Sequence, residues 1–167
     1  ISTWLVLVPA VTFACAAALP VGLLLLKWAL LGRVKPGQHP LWSCWCSRWD
    51  FLYVAWGQLV RPQLVQLEGT LLLSVYLRAM GMTIGRRVVL GPGFSQVVDP
   101  DMLSFGDDST VQTMFQAHTF EERILKIDTV RIGAGASVGT GSVMMNGSVA
   151  GDGTWVAPHT VVMKQAR

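Results

Sequence analysis

Between Ile132 and Val162 an apolar residue returns at every sixth position without a slip: Ile132, Val138, Met144, Ala150, Val156 and Val162. Glycine or alanine follows directly at Gly133, Gly139, Gly151 and Ala157. A small residue stands four places on, at Ala136, Ser142, Ser148, Thr154 and Thr160. Neither the helical period of about 3.6 residues nor strand alternation describes this spacing. An internal period constrains a fold more than local propensity does. The physical reading is a short strand, a tight turn that uses glycine's backbone freedom, and another short strand. The large aliphatic and the small residue point inward. Three hexads make a triangular coil, and coils stack by parallel pairing so that inward residues form ladders. The register extends back through Ile84-Gly85, Leu90-Gly91, Phe105-Gly106 and Val111, so residues 84–167 are expected to hold about four coils. The beat breaks twice. Three extra residues fall near "VVDPD" (97–101), and nine fall between Ala117 and Ile132, where "HTFEERILKID" carries His118 beside Glu121 and Glu122.

The upstream half obeys other rules. Residues 1–26 carry no charged side chain, and the first is Lys27. A helix of about 24 such residues rises about 36 Å, against a hydrocarbon core of about 30 Å. Pro9 and Pro20 would kink it, which spanning helices tolerate. A signal peptide does not fit, because the run is too long, lacks a basic start and ends in no cleavage pattern. With only 14% charged residues, the chain is too apolar for an ordinary soluble domain. A transmembrane helix is therefore expected over residues 1–32, amphipathic interface helices and linker over 33–83, and the repeat domain over 84–167. The chain is expected to be a segment of a longer polypeptide.

Charge sets the orientation. Residues 1–83 carry six bases and two acids, whereas 84–167 carry seven bases and eight acids. The basic excess belongs to the membrane half, so no nucleic-acid surface is expected. Lys27, Arg33 and Lys35 follow the spanning run and place the downstream part on the cytoplasmic side. Six of the seven tryptophans lie in the first 56 residues, as an interfacial belt would. Pro62 divides 41–68 into two short interfacial helices. A further helix is expected from about Thr70 to Met80, with Thr70 at its start and Gly81 at its end. Cys15, Cys44 and Cys46 imply neither a disulfide framework nor a zinc site.

The six-residue pattern resembles the hexapeptide-repeat acyltransferases. That resemblance implies a mainly β fold, a left-handed parallel β-helix of about four coils, preceded by the transmembrane and interfacial helices. "HPLWSCW", "GTLLLSVYLRAMGMTIG", "VVDPDMLSFGDDS" and "HTFEERILKIDTVRIGAGASVG" together resemble a narrower group. This is the membrane-linked C-terminal condensing domain of the nonribosomal synthetases that make poly-amino acids of the ε-poly-lysine type. The resemblance implies a bacterial inner-membrane enzyme that joins aminoacyl thioesters to the amine of a growing chain. Its implied donor is a phosphopantetheine-tethered thioester on a carrier domain, or coenzyme A. Its implied partners are adenylation and carrier domains of the same polypeptide and two further β-helix domains, as tandem copies or a homotrimer.

Amide formation from a thioester needs an uncharged amine, a carbonyl beside it and polarisation of the developing oxyanion. Imidazole titrates near neutral pH, and His118 follows an inward position at the edge of the excursion, so it should face a cleft. Members of the family use an outward histidine as general base, and the resemblance implies that role for His118. Glu121 or Glu122 is placed to fix its tautomer, with Asp107 one coil side away as a further candidate. Asn146-Gly147 lies on the next coil near His118, where a backbone N–H would polarise the thioester carbonyl; a plain turn is the other reading. His159 and His39 read as turn and linker residues. His118 and His159 fall on different sides, so no metal site is expected. A coenzyme-A-dependent acetyltransferase and a non-catalytic trimerising scaffold stand as alternatives.

Overall fold

A computed structural model describes residues 2–164. The charge-free run forms helix α1 (Ser2–Leu30), with Pro9 and Pro20 inside it. Over Thr3–Leu30 it is long and apolar enough to cross a membrane, the one such helix among the described residues. Most of it is exposed, but near its C-terminal end Leu23 and Lys27 are buried against the rest of the chain. Two hydrogen bonds fasten it to the region of a later helix: Tyr76 OH donates to Pro20 O at 3.2 Å, and α1's own Trp28 Nε1 donates to Ala79 O at 2.8 Å.

After α1 comes strand β1 (Gly37–Pro40), a segment whose Pro and Gly content suggested only a linker. Helix α2 (Cys44–Ala55) starts where the Ser43 hydroxyl accepts a hydrogen bond from Cys46 N. One π turn, Trp56–Val60, separates it from α3 (Arg61–Val65). Pro62 has no N–H to continue the ladder, which explains why the helix widens and restarts there. Helix α4 (Leu71–Ala79) has Thr70 at its N-cap, but the Thr70 hydroxyl donates to Leu67 O instead of capping. Gly81 follows with φ of 113°.

The remainder is built from short strands. These are β2 (Thr83–Ile84), β3 (Val89–Leu90), β4 (Leu103–Phe105), β5 (Thr110–Gln116), β6 (His118–Glu121), β7 (Ile124–Ile127) and β8 (Val130–Ile132). They continue as β9 (Ser137–Met145), β10 (Val149–Ala150), β11 (Trp155–Val156) and β12 (Val161–Val162). One parallel sheet runs β10-β8-β4-β2 and a second runs β11-β9-β5-β3, with β12 also on β9. The six-residue spacing becomes register: Ile132 pairs with Ala150, Val138 with Val156 and Met144 with Val162. Phe105 joins the first ladder and Val111 the second. Phe105, Val111, Ile132, Val138 and Met144 are all buried.

The excursion folds as well. Strands β6 and β7 form an antiparallel hairpin, and β1 adds to its far edge. Glu122 and Arg123 close it with φ of 52° and 62°, the geometry of a two-residue primed turn that glycine and asparagine usually occupy.

The expected fold class needs correction. The chain is not mainly β: 38% of it is helical and 27% strand, in parallel and antiparallel sheets, and a left-handed β-helix is not what it shows. The physical reason lies in the apolar residues of 41–80, expected partly at the membrane interface and partly buried in either protein or lipid. Trp49, Leu52, Trp56, Val60, Leu64, Leu73 and Leu77 enter one hydrophobic core with Phe94, Phe105 and Val111. Helices and sheets thus share an interior. The outer faces still carry exposed Phe51, Val54, Leu59, Leu71, Leu72 and Val75.

Candidate functional site

Two interruptions of the six-residue beat meet in space. The first is "VVDPD", where Asp99 adopts φ of 56° and ψ of 57° before the 3-10 turn Pro100–Met102. An L-residue pays for that left-handed backbone, and aspartate tolerates it better than most. The bend turns the Asp99 side chain into the interior, where 1% of it is exposed. The second interruption begins with His118, the first residue of β6.

The Asp99 carboxylate is shared between two donors. Its Oδ2 lies 2.8 Å from His118 Nδ1, and its Oδ1 accepts from Trp49 Nε1 at 2.6 Å. A carboxylate only accepts, so the Asp99 contact selects the tautomer with hydrogen on Nδ1 and leaves Nε2 with a free lone pair. Aromatic packing fixes the ring plane. Trp49 meets His118 edge-on with centroids 5.0 Å apart, and Phe120 does so at 5.4 Å. Tyr53 stacks on the indole of Trp49 at 5.9 Å. The imidazole side chain keeps 15% of its surface exposed, so one edge remains open to solvent. An oriented, partly open imidazole backed by a buried carboxylate is suited to take a proton from a bound group.

The structure does not bring Glu121 to His118. Three positions apart on one strand, the two side chains leave opposite faces. Glu121 instead accepts from Lys126 and from Thr119 Oγ1, and the Lys126 ammonium holds its carboxyl below the usual range. Glu122 sits in the hairpin turn. Asp107 caps the β2–β3 connection, its Oδ1 accepting from Arg86 N at 2.7 Å. Asn146 and Gly147 form the turn between β9 and β10. That turn stands beside the Ala117–His118 junction, since Met145 pairs with Gln116. The Gly147 N–H already donates to Thr129 O at 2.9 Å, so it is spent as a carbonyl polariser. His159 occupies a left-handed turn position, and His39 stacks on Trp45 with ring centroids 3.6 Å apart.

The sequence reading missed Asp99 and Trp49 as site residues. Asp99 had a usable signal: it lies in the other break of the beat and precedes a proline. Trp49 had none, because a tryptophan in an apolar stretch reads as interfacial.

Two hollows flank the site. One, about 40 Å³, lies among α1, α2 and the 97–101 segment, and Asp99 and Trp49 help line it. That volume suits one or two waters and excludes an aminoacyl group. The other, about 250 Å³, is bounded by Tyr53, Pro92, Phe94, Gln96 and Met114. Tyr53 lines both hollows.

Among known proteins, the chain is similar to a delta-poly-L-ornithine synthetase of Acinetobacter baumannii (strain AB307-0294), with 30% identity over 143 residues. The match covers 84% of this chain and 11% of that protein, so the chain spans about a tenth of the curated relative's length. No protein-family model matches the chain. No solved structure matches it either.

Proposed function

We propose that the chain is a membrane-anchored condensing module that forms amide bonds during poly-amino-acid synthesis. The observation that carries this reading is the His118–Asp99 contact, an imidazole oriented through Nδ1 by a buried carboxylate. The similarity to a poly-ornithine synthetase supports the substrate class, an aminoacyl donor and an amine acceptor. The exposed apolar faces of α2, the π turn and α4 support a position against the membrane surface, with α1 crossing it.

The chemistry balances within these groups. The acceptor nitrogen attacks the thioester carbon as His118 Nε2 takes its proton. The tetrahedral intermediate then collapses, the C–S bond breaks, and the imidazolium returns the proton to sulfur. The donor is a thioester on the phosphopantetheine arm of a carrier domain, supplied by an adenylation domain of the same polypeptide. The 250 Å³ hollow beside Tyr53 has the size and apolar walls to receive part of that arm.

The test offers the chain, in detergent micelles, an aminoacyl-pantetheine thioester and a diamine, with acetyl-coenzyme A as competing donor. Amide formation from the aminoacyl thioester is expected, and His118→Ala should slow it by about 10²–10⁴-fold. Transfer from acetyl-coenzyme A alone would move the protein to the acetyltransferase class. Aminoacyl transfer that is unchanged in His118→Ala would remove the assigned base.

A further inference from the structure

Two residues past Asp99, a second carboxylate is held from the membrane side. Asp101 has a side chain with no exposed surface, and its Oδ1 and Oδ2 lie 3.0 and 2.8 Å from Lys27 Nζ. Lys27 belongs to α1, and its own side chain is 5% exposed. The ammonium also sits 3.8 Å from the Trp28 ring centre. Gly81 makes this arrangement fit, since a Cβ there would overlap Asp101 Oδ1 and crowd Lys27 Nζ.

The segment between the two carboxylates is short and stiff. Pro100 fixes one φ, and Met102 N donates to Asp99 O at 2.9 Å. Asp99 occupies a left-handed backbone state that its surroundings must enforce. The segment is therefore clasped at both ends: Asp99 by Trp49 and His118, Asp101 by the last turns of α1.

We propose that Lys27 and Asp101 are positioning residues, through which the seating of helix α1 fixes Asp99 and hence the tautomer of His118. The role in catalysis rests on His118 being the base; the structural coupling does not. A buried charge that loses its partner is forced to move or to draw in water, and a displacement of Asp101 along the chain reaches Asp99 through Pro100 alone in sequence. The site is then competent only when α1 is docked, which makes the base dependent on the membrane anchor.

The experiment uses the full chain in micelles with ¹⁵N-labelled histidine. The His118 ring nitrogens, identified by their loss in His118→Ala, report the tautomer. Wild type should show hydrogen on Nδ1 and an unprotonated Nε2. Lys27→Met should give a mixture of tautomers and a fall in amide formation of about 10–100-fold, the scale of a misplaced reacting group. Lys27→Arg should keep the wild-type tautomer and most of the rate. If Lys27→Met does not fold, the near-isosteric Asp101→Asn replaces it, with the same expected tautomer mixture. A wild-type tautomer in folded Lys27→Met or Asp101→Asn would overturn the proposal, even with a reduced rate, because the pair would then act on folding alone. A shifted tautomer combined with full activity in His118→Ala would keep the clasp and defeat the catalytic reading instead.

Discussion

Asp99 and His118 stand 19 positions apart in the chain and 2.8 Å apart in space, each at a place where the six-residue beat fails. The strands between them pair in parallel ladders with one register shift, between Val111 and Thr113, and the site lies where the six-residue beat breaks. Regular turns of such a structure bury their side chains in fixed columns. An interruption frees a residue to bend back, as Asp99 does, or to start a hairpin, as His118 does.

Asp99→Asn keeps the shape and leaves an oxygen for Trp49 Nε1, so the protein should fold. Its amide can donate to His118 Nδ1 and so favours the tautomer with hydrogen on Nε2. Amide formation should fall by about 10²–10⁴-fold, as for loss of a general base, measured by product formation under single turnover. Near-isosteric folding is checked by circular dichroism.

Trp49→Phe removes the Nε1–H and leaves one oxygen of a buried carboxylate unpaired. Such a loss costs about 1–3 kcal/mol of stability. The midpoint of denaturant unfolding should drop accordingly, and the edge contact that steadies His118 should loosen with it.

Glu121→Gln distinguishes the two carboxylates. Glu121 lies in an exposed cluster with Lys126 and Thr119, and such surface pairs contribute little. Amide formation should stay within about 2-fold of wild type, since the change touches only an exposed pair. A large loss would return Glu121 to the site.

Gly81→Ala should destabilise the protein by about 1–3 kcal/mol, combining positive-φ strain with the overlap on Asp101. Differential thermal unfolding of the two proteins measures it.

His39 gives a pH dependence. Burial lowers its pKa from the ordinary value of 6.5. The unfolded chain then binds the proton more readily than the folded one. The stabilisation by neutral His39 is fully present above pH 6.5 and is lost as the pH falls below that value toward the folded pKa. His39→Phe should remove this part of the acid sensitivity, read as the difference between the two unfolding curves over that window.

The ladders were legible because a six-residue period has few structural meanings. The spacing of Ile132, Val138 and Met144 points to their partners Ala150, Val156 and Val162. The helical half was not legible in the same way. An apolar side chain that faces lipid and one that faces a protein core look alike, so Trp49 read as an interfacial residue and Leu77 as buried in either protein or lipid, while both line the core. The break in pattern singles out His118, and the resemblance suggests the role of base proposed for it. Its partner was left open among Glu121, Glu122 and Asp107, whereas a strand sends His118 and Glu121 to opposite faces and the contact is made by Asp99. Asp99 is placed by a left-handed backbone turn, which residue type alone does not fix.

The most direct test is single-turnover amide formation by the chain in detergent micelles, from a labelled aminoacyl-pantetheine thioester to a diamine. With His118→Ala, the protein should stay folded and transfer to the acceptor amine should slow by about 10²–10⁴-fold. Transfer at the wild-type rate would contradict the account.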